Sequence, residues 1–133
     1  MNEAGTRSPG RVNIAFTPAG TDAAKRLQDR FPFEDLIDVA RVATAYALRE
    51  MLPLARPSDF GSANGSNFNV GSVDPKGELR DLLLALHPEI DEDPYRVVET
   101  LMSLGAVALD ERLAAGEVLS LRDLIADDDA GSA

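Results

Sequence analysis

The first part of the chain, residues 11–52, constrains the fold most, because its pattern predicts one short strand followed by two helices. Every second side chain of the strand is apolar, as in a half-buried strand. The apolar residues are Val12, Ile14 and Phe16, and Arg11, Asn13 and Ala15 lie between them. A lone strand leaves the N–H and C=O groups of both edges unpaired. We therefore expect it to pair with a second subunit in a shared two-stranded ribbon.

Two helices are predicted directly after this strand. The hydroxyl of Thr17 or of Thr21 can cap a first helix that ends near residue 30, where the sequence Phe-Pro-Phe interrupts it. The second helix, residues 34–52, is apolar over well over half of its circumference. Such a helix is typically buried on nearly all sides.

The second half of the chain predicts a loop and three more helices. The loop, residues 58–72, is rich in Gly, Ser and Asn and is long for a compact domain. Two Asp-Pro pairs each indicate a helix start, because aspartate caps a helix and proline fits its first position. A Ser-Leu-Arg-Asp stretch resembles a capping box. The three predicted helices span residues 75–87, 94–115 and 120–126.

Length and composition predict one small, mainly α domain. The chain has 133 residues, of which 44% are hydrophobic, enough for a modest core. We expect a disordered leader (1–10), a helical domain with a short N-terminal strand (11–126) and a disordered acidic tail (127–133). The start of this domain is ribbon-helix-helix-like and a helical bundle follows it. The absence of cysteine excludes disulfides and thiol nucleophiles and favours a cytoplasmic protein.

Charge is distributed unevenly along the chain. Residues 1–57 contain 8 basic and 7 acidic side chains, whereas residues 58–133 contain 5 basic and 16 acidic ones. The net charge is −10. Like charges repel over about 8–10 Å in ordinary salt, so the acidic second half would repel a polyanion. A polyanion would therefore have to bind to the first half of the chain.

The residue types that carry most catalysis are scarce. His87 is the single histidine, so a nucleophile–base pair or a transition-metal site is not expected. The acidic residues 89–93 lack the spacing of a calcium-binding loop, and Asp93 is better explained as a helix cap. We therefore predict no enzymatic activity, no cofactor and no metal.

Residues suited to DNA contact occur in three places. Basic side chains share one face of the first helix, and loop asparagines can donate to phosphates or base edges. The strand places alternate residues on the side away from the core. The candidate DNA-binding residues are Arg11, Asn13, Lys25, Arg26, Arg30, Asn67 and Asn69.

Three local stretches resemble the DndE family, small proteins of bacterial DNA phosphorothioation systems that defend against foreign DNA. The helix pair of residues 17–48 is similar to the family's opening helices. The sequence Asn-Phe-Asn-Val-Gly-Ser at residues 67–72 resembles its Phe-Asn turn, which leads into an acidic-capped helix. Residues 105–125 are similar to its closing helix with a Ser-Leu-x-Asp-Leu end.

The resemblance implies a helical homo-oligomer that binds DNA, nicked duplex included, and works with other subunits of the modification system. It implies no catalytic residues. Two alternatives stay open from the residues themselves. A strand before two helices is also typical of ribbon-helix-helix regulators and antitoxins, in which Arg11, Asn13 and Ala15 would face the bases. The acidic second half suits a purely protein-binding adaptor.

Overall fold

The computed structural model describes the central part of the chain. The described residues are 13–31, 33–55, 57, 61–63 and 65–117. The predicted leader, the predicted last helix and the acidic tail lie outside them.

Within the described residues the chain forms two strands and five helices. These are β1 (Asn13–Ala15), α1 (Pro18–Arg30), α2 (Leu36–Arg49), β2 (Asn67–Asn69), α3 (Val70–Val73), α4 (Glu78–Leu86) and α5 (Pro94–Ala114). The predicted fold class, a small helical domain with a short N-terminal strand, is confirmed.

The predicted pairing of β1 with a second subunit is wrong, because β1 finds its partner within the chain. It pairs antiparallel with β2, and Ile14 lies opposite Phe68. The sequence did not reveal β2, since its three residues contain a single apolar side chain. Two backbone bonds continue the ribbon, from the Phe16 N–H to the Ser66 carbonyl (2.9 Å) and from the Gly65 N–H to the Phe16 carbonyl (2.8 Å).

The other edge of β1 is closed by side chains of α5. The Ala15 N–H donates to Oε2 of Glu99 at 2.8 Å, and the Thr17 N–H donates to Oγ of Ser103 at 3.0 Å. Both acceptors are buried. The N–H groups of Ala15 and Thr17 are therefore not available to another strand.

The first two helices begin at side-chain caps. Oγ1 of Thr17 accepts the Gly20 N–H at 3.1 Å, so Thr17 caps α1 and Thr21 does not. The second helix begins at Leu36 rather than near residue 34, because Oδ1 of Asp35 accepts the Asp38 N–H at 3.1 Å. An aspartate in this position satisfies an N–H that the first helical turn leaves unpaired.

The long helix α5 is the centre of the core. Its N-cap is Asp93, as the sequence predicts, and the left-handed Gly116 follows its last turn. Seven of its apolar side chains are buried between α1, α2 and α4: Val97, Val98, Leu101, Met102, Leu104, Ala106 and Leu109. At Gly105 the backbone of α5 approaches that of α2 so closely that an added Cβ would overlap the carbonyl oxygen of Ala43.

Helix α4 starts at Glu78 rather than at the predicted residue 75, because the side chain that caps it, that of Asp74, lies several residues before the helix. The buried carboxylate of Asp74 accepts the N–H groups of Leu79 (3.0 Å) and Arg80 (3.1 Å) across the left-handed Gly77. The Tyr95 hydroxyl also donates to it, at 2.8 Å. Burial, the bond to Asp74 and the charge of that carboxylate raise the pKa of Tyr95 to about 12. Asp74 thereby joins the start of α4 to the start of α5.

None of the described helices combines the length and the apolar character needed to cross a membrane.

Candidate nucleic-acid interface

The two-stranded ribbon brings together asparagines that lie far apart in the sequence. In its register Asn13 lies opposite Asn69, and Ala15 lies opposite Asn67. Since successive side chains of a strand point to opposite faces, these four residues share one face. All three asparagines are exposed, whereas Ala15 is buried. We call this surface, formed by Asn13, Asn67 and Asn69, the asparagine face.

The opposite face of the ribbon is held by the core. Ile14 and Phe16 are fully buried, and the ring of Phe68 meets that of Phe16 edge-on, with 5.9 Å between ring centroids. Phe68 therefore serves packing, and its ring is not presented for stacking on a base. The asparagine face is therefore backed by core packing on its reverse side.

Asn69 has a structural task as well as an exposed side chain. Its Oδ1 accepts the Gly71 N–H at 2.7 Å and so caps the short helix α3. This bond uses the side-chain oxygen and leaves the NH₂ group available as a donor. An amide in this orientation can donate to a phosphate oxygen or to an acceptor on a base edge.

The three predicted basic residues of α1 are exposed but differ in their surroundings. Nη2 of Arg26 lies 2.7 Å from Oδ2 of Asp110 on α5. The hydrogen bond to Asp110 and the negative charge of that carboxylate raise the pKa of the Arg26 guanidinium. Lys25 and Arg30 form no ion pair with any other described residue. Lys25 and Arg30 are thus the predicted cations of α1 that remain available to a phosphate.

Lys25 lies on the side of α1 that faces the start of the ribbon. The Ser66 N–H donates to Oγ1 of Thr21 at 3.3 Å, and Gly65 packs against the same side chain. Lys25 follows Thr21 by four residues and therefore lies one helical turn further along the same side. Lys25 thus lies one helical turn from the residue that contacts the chain segment entering β2.

Arg41 is a basic residue at the ribbon that sequence reasoning did not select. From α2 its guanidinium donates to the carbonyls of Ser72 (2.8 Å) and Val73 (3.0 Å), just after β2. Asp38 lies 3.8 Å away. Arg41 fixes the end of α3 while about half of its side chain stays exposed. The contact links residues 31 and 32 positions apart, and no local pattern in the sequence indicates it.

Arg11 lies outside the described residues. The asparagine face is neutral, so it offers hydrogen-bond donors. Donors of this kind read base edges or position phosphates. Lys25 lies on the side of α1 toward the ribbon, whereas Arg30, nine residues after Thr21, lies on the opposite side of that helix. A surface with few cations gives weak binding, because counterion release scales with the number of phosphates that are neutralised.

No described group of three His, Cys, Asp or Glu side chains is arranged to hold a metal ion. His87 follows the end of α4, and its Nδ1 lies 3.5 Å from Oε2 of Glu89. Comparison of the chain with protein-family models, curated proteins and solved structures finds no match.

Proposed function

We propose that this protein is a non-enzymatic accessory subunit of a bacterial DNA-modification and antiphage defence system of the DndE type. It works in the cytoplasm and contacts duplex DNA through the asparagine face, with Lys25 as a phosphate contact. The defence-system role rests on the resemblance of the three sequence stretches, and the observation that carries the DNA contact is the register of the ribbon. That register joins Asn13 to Asn67 and Asn69 on one exposed surface.

The shape of the ribbon supports a DNA contact. A two-stranded ribbon fits the major groove, and asparagine can make a paired contact with adenine there. With Lys25 as the unpaired cation on the ribbon side of α1, the contact is weak and depends on other subunits for strength. A net charge of −10 is compatible with this role, because the other subunits of the complex, and not the electrostatic attraction of this chain, would bring it to DNA.

The ribbon-helix-helix regulator is the less well supported alternative. Such proteins form their DNA-reading ribbon from one strand of each of two subunits. Here β2 occupies one edge of β1, and Glu99 and Ser103 occupy the other. A homo-oligomer is therefore supported by the family resemblance alone. Light scattering of the purified protein measures its oligomeric state.

A double variant of the asparagine face tests the proposal. In Asn13→Asp/Asn67→Asp each amide donor is replaced by an acceptor of similar shape, and the net charge falls by two. We expect duplex retention in low salt to weaken about tenfold or more, because two donor bonds are lost and two charges face phosphates. The measurement is a gel-retardation titration with intact and nicked duplexes.

Lys76→Glu is the matched control for this variant. Lys76 is exposed in the turn before α4, and its replacement also lowers the net charge by two. We expect it to change retention by less than about twofold, because it lies outside the ribbon and α1. Equal losses in the two variants would mean that only net charge matters, and the asparagine face would then have no special role.

A further inference from the structure

Helix α4 exposes two leucines on one side. Leu82 is 42% exposed and Leu86 is 50% exposed, and they lie one helical turn apart. Single exposed apolar residues are ordinary on protein surfaces, but these two form a continuous strip. Ala85, also exposed, lies beside them. We call Leu82, Ala85 and Leu86 the leucine strip.

The fold covers Leu82 and Leu86 only in part. Helix α4 is anchored by Leu83, which is fully buried, and by Leu79, which packs against the core, and the leucine strip lies at the margin of this apolar side. Helix α4 contacts α2 and α5. The exposed part of the strip is apolar surface that the described part of the chain leaves open to solvent.

The surroundings of the leucine strip are acidic. Residues 76–92 contain two basic and five acidic side chains. Of the two basic ones, Arg80 is bound to Asp81, with Nη2 of Arg80 3.1 Å from Oδ1 of Asp81. Glu78 precedes Leu82 by one turn on the same side, and the exposed Glu89 follows the helix end. A segment that covers this strip therefore needs apolar side chains in its middle and basic side chains toward its ends.

We propose that the leucine strip is a docking site for a basic amphipathic helix of a partner protein. Such a helix would place apolar side chains at i and i+3 or i+4 against Leu82 and Leu86, with Lys or Arg opposite Glu78 and Glu89. A second copy fits less well, because a two-fold contact would bring the acidic segment against itself. This surface is independent of the DNA contact proposed above.

Binding of a synthetic probe tests the docking site. The probe is a fluorescent amphipathic peptide of leucine and lysine, and the comparison peptide has glutamate in place of lysine. We expect the lysine peptide to bind the full chain and the glutamate peptide not to bind. In Leu82→Ser/Leu86→Ser the affinity of the lysine peptide should fall about tenfold or more, as measured by anisotropy.

Two further variants separate docking from nonspecific attraction. Met51 is 74% exposed at the end of α2, so Met51→Ser removes an exposed apolar side chain elsewhere and should leave affinity within about twofold. Glu78→Gln/Glu89→Gln should weaken binding several-fold. Circular dichroism checks that each variant is folded, and the leucine variant should retain DNA as the unmodified chain does.

Equal peptide affinity in the leucine variant and in the unmodified chain would overturn the proposal, since attraction to an acidic protein would then explain the binding. So would self-association of the unmodified chain that the leucine variant abolishes, because the occupant would then be a second copy.

Discussion

Gly105→Ala should destabilise the protein by about 3 kcal/mol, or lower its melting temperature by roughly 10 °C. Helix propensity alone predicts the opposite sign, since alanine in a helix interior is favoured over glycine by about 1 kcal/mol. The contact with α2 decides the outcome. An added Cβ would overlap the carbonyl oxygen of Ala43 and lie 2.7 Å from its carbonyl carbon. Because backbone cannot rotate away, the two helices would have to separate.

Gly116→Ala is the matched control for this prediction. Gly116 has φ of +78°, and nothing lies within 4 Å of an added Cβ. The same chemical change should therefore cost only about 1 kcal/mol, from backbone strain. Chemical denaturation of both variants gives the comparison. A Gly105→Ala protein more stable than the unmodified chain would show that α2 and α5 do not approach this closely.

Glu99→Leu should cost about 1–3 kcal/mol, because it leaves the Ala15 N–H without its acceptor in a buried place. Glu99 is only 4% exposed, and its carboxylate closes the edge of β1. Leucine has a similar volume, so the loss does not come from a cavity. The measurement is the free energy of unfolding from urea denaturation.

Glu99→Gln separates the hydrogen bond from the packing of the side chain. Glutamine keeps one oxygen that can accept the Ala15 N–H, so its effect should be clearly smaller than that of leucine. If leucine were tolerated as well as glutamine, the edge of β1 would not depend on Glu99, and the account of the closed ribbon would be wrong.

Local sequence signals predicted the parts of the fold that local chemistry determines. Thr17 and Asp93 can cap helices by themselves, and α1 and α5 begin where these residues predict. The alternation of Ile14 and Phe16 correctly indicated a strand with a buried face, but Ala15, which the same alternation placed on the open face, is buried as well. In each case the preferred conformation follows from a few neighbouring residues.

Features that depend on distant parts of the chain were missed or only partly predicted. β2 is a strand because β1 lies beside it, and Asn-Phe-Asn alone favours a turn. The start of α4 moved to Glu78 because Gly77 takes a left-handed conformation and Asp74 reaches across it. The ion pair of Arg26 with Asp110 joins residues 84 positions apart.

The candidate interface contains residues that the sequence predicted and contacts that it did not. The sequence selected Asn13, Asn67 and Asn69 on separate grounds, as a strand residue and as loop residues. Only the pairing of β1 with β2 shows that they share one face. Arg41 was missed because its contacts with Ser72 and Val73 arise from packing of α2 against α3.

A salt titration of duplex binding tests the central claim most directly. Anisotropy of a labelled duplex, followed from about 25 mM to about 200 mM salt, gives the slope of log affinity against log salt. With a phosphate contact from Lys25, we predict weak binding with a slope of about −1, and weaker binding at every salt concentration for Asn13→Asp/Asn67→Asp. No binding at the lowest salt, or the same affinity for the double variant, would contradict a DNA contact through the asparagine face.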